Sequence, residues 1–553
     1  MRRDRSSATR SACLSRLTRL LGSFRTTRLA RLASPLAPAP APRAPLASPL
    51  AGLPVLGGVD APDDCLARTM AHYVGLSTIF VGAIELIPLA AIPIGRWERT
   101  FAPCFIFPGL CAMAAGYLLY FLWGRGLATR QLGRREASAC ALVVWLVAIA
   151  VYAVPFVAAG LLDPFQAIFE STSGLTTTGL SVMDVDACPR VFLLHRSLMH
   201  YFGGVGLVLV LTSLLRPGGG LRVFDVEGHA DRLLPGTTAT ARVILILYTS
   251  LIAVGALAYR ACGMPAFDAV NMAISAVSTG GFAVHASSIA SYGSLPVEIV
   301  SIVLMLAGAT SFALNFALVR GDFRAFFRHV ETGCLYGIIL AATVAMTACL
   351  LASGQVSGVA DAARIALFQT VAIITTTGFQ TIPSLAVLPA SALFVAILLM
   401  FVGSEAGSTS GGIKVYRAVL ATLGVVSTLR ERYGRVRAVR SVKVSRYGRR
   451  VACTREEMDD AMAFVLVYVL VFAAGCFVFA LCGADVRDAV FDFASCLGNV
   501  GVSVGFITAS SGPVVLLVGS VAMLLGRLEI IPACMGALWL ITAPRERRRA
   551  FHA

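Results

Sequence analysis

Four short turns along this chain carry residue types that can line a path for a cation. They are Thr177-Thr178-Gly179-Leu180, Thr279-Gly280-Gly281-Phe282, Thr376-Thr377-Gly378-Phe379 and Asn499-Val500-Gly501-Val502. A cation leaving water needs its hydration oxygens replaced, and a ring of backbone carbonyls from four convergent loops does this. Glycine suits such a loop because it tolerates the torsions that turn successive carbonyls to one side. Taken singly, a Thr-Gly turn is weak evidence and is more often an ordinary turn. The spacing is more specific: the reference glycines fall at 179, 281, 378 and 501, at intervals of 102, 97 and 123 residues. This is a fourfold repeat with one enlarged connection.

The elements that hold such turns must cross an apolar layer. Of 553 residues, 57% are hydrophobic and 14% charged, and the mean hydropathy is +0.80. That composition excludes a water-soluble globular chain and indicates an all-α polytopic membrane protein. Segments long enough to span a bilayer, about 20 residues each, lie near 71–94, 103–123, 137–160, 191–215, 239–260, 295–319, 332–352, 388–417, 460–482 and 513–542. Ten spans are therefore expected. Within the last four pairs, 163–178, 266–280, 362–377 and 487–500 are too short or too polar to cross. Each opens near an acidic residue, Asp163, Asp268, Asp361 or Asp488, which suits the first turn of a helix. Non-helical backbone at membrane depth needs protein or a wet cavity around it, so the unit reads as span, re-entrant half-helix with turn, span. The predicted organisation is a basic tail 1–70, a two-span domain 71–136, pore repeats 137–238, 239–331, 332–459 and 460–543, and a basic tail 544–553.

The formal net charge of +16 is distributed as topology, not as a nucleic-acid footprint. Lys and Arg cluster at 124–136 (Arg125, Arg130, Arg134, Arg135), 216–242, 320–328, 430–450 and Arg545 to Arg549. With ten spans these all fall on one side, which the positive-inside rule makes cytoplasmic together with both termini. Arg96-Trp97-Glu98-Arg99 runs against the rule and reads as an interfacial anchor. The first 60 residues, rich in Arg, Ser, Ala and Pro, read as a disordered tail or a start assigned too far upstream, with a transit peptide as the alternative. The 14 cysteines lack paired-ligand spacing and read as apolar packing residues. No metal site is expected outside the four turns.

With these turns in view, the chain resembles the Trk/Ktr/HKT superfamily of potassium transporters, in particular its Trk-type membrane subunits. The resemblance covers roughly 71–543. It rests on Phe169-Glu170-Ser171 leading to Gly174 through Gly179, Arg196-Ser197-Leu198 with Gly203-Gly204-Val205-Gly206, Ser278 through Phe282, Leu367 through Thr370 with Thr375 through Phe379, Gly407 through Lys414, and Gly526-Arg527-Leu528-Glu529-Ile530. Two spans before the first turn point to the Trk branch. The fourth turn and the residues Ser181 and Ala283 depart from the usual pattern and leave the order of ion preference open. By resemblance the sixteen turn residues bind K⁺, and Gly179, where a serine is associated with sodium selectivity, favours potassium. The resemblance also implies a homodimer with a cytosolic nucleotide-binding regulator of the TrkA type. NAD or ATP would bind that partner, because this chain carries no dinucleotide fingerprint, and 430–450 is a candidate docking face.

Two further features are singled out. Gly407-Ser408-Thr409-Ser410-Gly411-Gly412-Ile413-Lys414 has broken phosphate-loop spacing and no preceding strand. It reads as a kink in an apolar helix or, by resemblance, as an intramembrane loop gating the pore. Arg527 lies deep in an apolar span, where an arginine costs about 2.5–3.5 kcal/mol unless it faces protein or water. It reads as an interfacial anchor or, by resemblance, as a pore-facing barrier; Lys414 is near enough to a helix end to snorkel. Glu170 and Asp268 suit either the concentration of cations or the packing of the pore helices. His200 and His285 read as ordinary polar residues. The expected function is potassium uptake. A sodium-selective or Na⁺/H⁺-coupled transporter is the alternative, and a membrane-embedded enzyme is disfavoured because the spans hold no convergent acid-base or nucleophilic groups.

Overall fold

The computed structural model describes residues 62–94, 97–124, 132–206, 237–433 and 442–552. The expected N-terminal tail up to residue 61, Arg125 and Arg130, most of the 216–242 connector, the centre of 430–450 and the side chains of Arg545 to Arg549 lie outside the described residues.

Helices α1 (Pro62–Ile84) and α2 (Ala102–Leu119) form the N-terminal pair. They meet at Gly75 against Gly116 and Gly82 against Gly109, where a Cβ on any of the four would stand closer than 3.0 Å to the other helix. Small residues permit this approach. Four units follow. The first is α3 (Arg134–Ala158), pore helix α4 (Pro164–Leu175) and α5 (Arg190–Val205). The second is α6 (Thr237–Ala261), pore helix α7 (Ala266–Val277), α8 (Leu295–Ala309) and α9 (Phe312–Val319), after which comes the short α10 (Phe323–Phe327). The third is α11 (Val330–Ala352), pore helix α12 (Val359–Ile374), α13 (Ala390–Val402) and α14 (Val415–Tyr433), followed by an antiparallel hairpin, β1 (Val442–Arg446) and β2 (Arg449–Cys453). The fourth is α15 (Arg455–Leu481), pore helix α16 (Val486–Gly498), α17 (Pro513–Arg527) and α18 (Ile530–His552).

The pore helices have 12, 12, 16 and 13 residues, about 18–24 Å at 1.5 Å per residue and short of the roughly 30 Å hydrocarbon layer. Asp163 starts the first by accepting from Phe165 N and Gln166 N at 2.8 and 2.9 Å, while Gln166 returns a bond to Asp163 N. Asp268, Asp361 and Asp488 lie in the first turns of the other three. Glu98 is more than an interfacial anchor: it is buried and caps α5 by accepting from Arg190 N at 2.9 Å and Val191 N at 3.1 Å.

The second spans of the second, third and fourth units depart from expectation. Among the described residues six helices are long and apolar enough to cross, and two bent pairs bring the number to eight. The segments read as spans 295–319 and 513–542 bend by 112° and 111°. The segment 388–417 splits around an irregular loop; of 191–215, α5 accounts for Arg190–Val205, and 207–215 lie outside the described residues. Breaks at this depth survive because protein satisfies the freed backbone. Ser311 N donates to Glu405 at 2.8 Å, and Ile413 N and Lys414 N donate to the Phe401 and Val402 carbonyls at 3.0 Å.

Candidate functional site

The pore helices deliver the four turns to one place, with their C-terminal ends, the negative poles of the helix dipoles, leading into them. The turns share one backbone pattern. The residue two before each reference glycine is left-handed, with φ of 52° at Thr177, 53° at Thr279, 57° at Thr376 and 54° at Asn499. Each glycine is positive again, at 91° for Gly179, 82° for Gly281, 73° for Gly378 and 85° for Gly501. Threonine and asparagine are held in a conformation that costs most side-chain-bearing residues about 1–2 kcal/mol, and this happens at the same register four times.

The turns also close on one another. A Cβ on Gly179 would overlap the Gly280 carbonyl, on Gly281 that of Thr377, on Gly378 that of Val500, and on Gly501 that of Thr178. Adjacent turns therefore touch backbone to backbone around a complete ring, and glycine is the residue that fits. Asn499 Nδ2 ties the fourth turn to the first through Thr178 Oγ1 at 2.9 Å. Leu180, Phe282, Phe379 and Val502 are buried in apolar clusters behind the turns and anchor them there.

Glu170 belongs to this scaffold and not to the mouth. It is fully buried and accepts from Arg196 Nε at 2.8 Å, Ser181 Oγ at 2.9 Å and Val182 N at 3.0 Å. Arg196 in turn lies 3.8 Å over the Phe282 ring and donates to Ala283 O at 3.2 Å, joining the first turn to the second. Asp492 holds the same register in the fourth unit, accepting from Ser503 Oγ, Val504 N and Ile507 N. His200, read from the sequence as an ordinary polar residue, is a bracket. Phe282 N donates to its Nε2 at 3.1 Å, so Nδ1 carries the proton and donates to Gly174 O at 2.7 Å. A Cβ on Gly280 would collide with its ring. Its partners lie 26 and 82 residues away and leave no local signature. Arg196 did carry a signal, a charge within an apolar helix. Asp268 stays in the first turn of α7, where Tyr292 Oη donates to it at 3.1 Å and His285 Nε2 lies 3.6 Å away. Burial and that carboxylate hold the Tyr292 phenol above its ordinary range, so it remains a donor.

Directly beneath the ring runs the loop between α13 and α14. Ser408, Thr409, Ser410 and Gly411 are buried against the turns. Thr409 Oγ1 shares a hydrogen bond of 3.0 Å with Thr279 Oγ1, and Gly411 N donates to Thr376 Oγ1 at 3.0 Å. A Cβ on Gly411 would come within 2.8 Å of the Asn499 side chain. The loop thus meets three of the four turns, while the Thr177 hydroxyl turns back to its neighbour Thr176 O. Gly407 and Gly412 are left-handed at its two ends, φ 74° and 77°. Arg527 closes the level: its guanidinium donates to Thr409 O at 2.6 Å, to Gly204 O at 2.9 Å and to Gly203 O. It pins the loop to the C-terminal end of α5. Lys414 lies 3.8 Å from Glu529, which also takes Arg417 at 2.6 Å, so Lys414 is held within the protein.

A ring of four re-entrant turns inside paired apolar helices is the architecture of a polytopic cation transport protein. The TrkH family of cation transport proteins matches residues 156–544. The chain is 30% identical over 481 residues to the Trk system potassium uptake protein TrkH of Salmonella typhimurium, covering 84% of this chain and 96% of that one. It is 26% identical to an uncharacterized cation transporter of Methanocaldococcus jannaschii, over 83% and 93% of the two chains. The crystal structure of the potassium transporter TrkH from Vibrio parahaemolyticus superposes with a TM-score of 0.76 at 27% identity, covering 85% of this chain and 98% of that one. The chain belongs to the TrkH family and is a multi-pass membrane transporter, not an enzyme.

Proposed function

We propose that this chain takes up K⁺ across the bacterial cytoplasmic membrane, with the four turns as its selectivity filter. The observation that carries the reading is the closed ring of turns with one alternating backbone pattern, which is what successive inward carbonyls require. Relatives named as potassium uptake proteins support the choice of ion, as does glycine at all four reference positions. The 407–412 loop is the gate, because it lies under the filter and touches three turns. Arg527 is a barrier to cations and the clasp that keeps the loop in place. The chain works as a homodimer with a cytosolic nucleotide-binding subunit of the TrkA type, which supplies any NAD or ATP response, and both termini are cytoplasmic.

Expression in a bacterium lacking its own potassium uptake tests this reading. Growth at limiting K⁺ is expected, with Rb⁺ uptake in vesicles. Na⁺ flux without K⁺ or Rb⁺ flux would sink it in favour of a sodium transporter of the same superfamily.

A further inference from the structure

The hairpin beyond α14 is joined to the intramembrane loop by an unbroken line of hydrogen bonds. Tyr447, at the hairpin turn, donates its backbone N–H to His329 Nδ1 at 3.2 Å. That bond makes Nδ1 the acceptor, so the proton of the neutral imidazole sits on Nε2, which meets Glu331 Oε1 at 3.2 Å. The other oxygen of Glu331 accepts from Ala406 N at 2.7 Å, and Ala406 immediately precedes the glycine that opens the loop. Each step has one donor and one acceptor, and His329 and Glu331 are both buried. Beside this line, Glu405 is fixed from two sides, by Thr332 Oγ1 at 2.7 Å and Ser311 N at 2.8 Å. The entrance of the loop is thus held by the N-terminal end of α11.

An isolated two-stranded hairpin is marginal in water, and this one draws its order from docking. Val444 and Cys453 are buried with Leu420, Met458 and Ala461, Arg446 lies 4.4 Å over the Tyr416 ring, Ser445 Oγ donates to Arg328 O, and the Tyr447 and His329 rings are 4.9 Å apart. Lys443, Arg449 and Arg450 remain exposed. A hairpin with a small docking face and a direct bond into a buried chain suits a part that can be lifted.

We infer that the hairpin is the handle of the loop, and that His329 and Glu331 are the positioning residues that hold the loop closed while the hairpin is docked. This rests on reading the loop as the gate. Undocking withdraws the Tyr447 donor, frees the imidazole to turn, and releases Glu331 from the orientation that binds Ala406 N.

The test is Rb⁺ uptake by the full chain in proteoliposomes of one lipid composition, without a partner subunit. His329→Leu is expected to raise uptake about three- to tenfold, the equivalent of losing one or two buried hydrogen bonds. His329→Gln, which keeps a donor and an acceptor, should stay near the parent. Replacing 442–453 by a Gly-Ser linker should raise uptake as much as His329→Leu, and the two changes together should give no further rise. Amide exchange at 404–412 should quicken in both variants, a readout that holds even where uptake is lost. A variant with 407–412 shortened separates the two readings. If it raises uptake while His329→Leu and the hairpin replacement match the parent in uptake and exchange, the handle is overturned and the gate stands. If it too matches the parent, the gate reading fails first.

Discussion

At the level of the reference glycines the four units are interchangeable. Each places a left-handed residue two positions before a left-handed glycine, and each glycine meets the carbonyl of the next turn. Just below, the units part company. The third supplies a glycine- and serine-rich loop, the fourth supplies Arg527, the first supplies the Gly203 and Gly204 carbonyls that tie Arg527 to α5, and the second presents the Thr279 hydroxyl. The contrast follows from what each level is proposed to do. Oxygens that replace a hydration shell are best equivalent, whereas a gate needs one element able to move and others to hold it.

Breaking the equivalence of the upper level carries the largest expected effect. Gly281→Ala and Gly378→Ala each force a side chain into the left-handed region, at about 1–2 kcal/mol, and into the neighbouring carbonyl. Each should cut Rb⁺ uptake by about 100-fold, and by similar factors, on a combined barrier of about 3 kcal/mol. A large difference between the two would deny the equivalence. The lower level should respond in the opposite direction and unit by unit. Arg527→Ala removes a fixed charge and also the clasp on Thr409 O; uptake should rise about tenfold, the equivalent of about 1.4 kcal/mol. Thr409→Val removes the hydroxyl that meets Thr279 Oγ1, Gly308 O and Val277 O; at about 1 kcal/mol net for the single proton it donates, uptake should rise about fivefold. Thr177→Val, whose hydroxyl serves its own turn, should leave gating unchanged.

The upper level was the part most legible in the sequence, because a repeat announces itself through spacing and through short amphipathic segments too brief to span. Glycine at 179, 281, 378 and 501 marks the positive torsions found there. The breaks in the second spans were not legible. The segments on either side of Thr310 and Ser311 are equally apolar, and the break at Ser311 is stabilised by Glu405, 94 residues away. The bracket made by His200, which reads as an ordinary polar residue in the sequence, is hidden for the same reason, since its partners lie 26 and 82 residues away. Glu170 was left between two readings, and its partners Arg196 and Ser181 decide for the scaffold. Local composition encodes helix and turn, while a buried polar bracket exists only once distant segments have met.

The most direct measurement is the ratio of Rb⁺ to Na⁺ flux through the purified chain in proteoliposomes, for the parent and for Gly179→Ser. Gly179 has φ 91° and touches the Gly280 carbonyl, so a serine there displaces an oxygen of the proposed filter. Strong preference for Rb⁺ is expected in the parent, and a collapse of that preference through added Na⁺ flux in the variant. A parent that passes Na⁺ as readily as Rb⁺, or a variant with an unchanged ratio, would contradict the proposed filter.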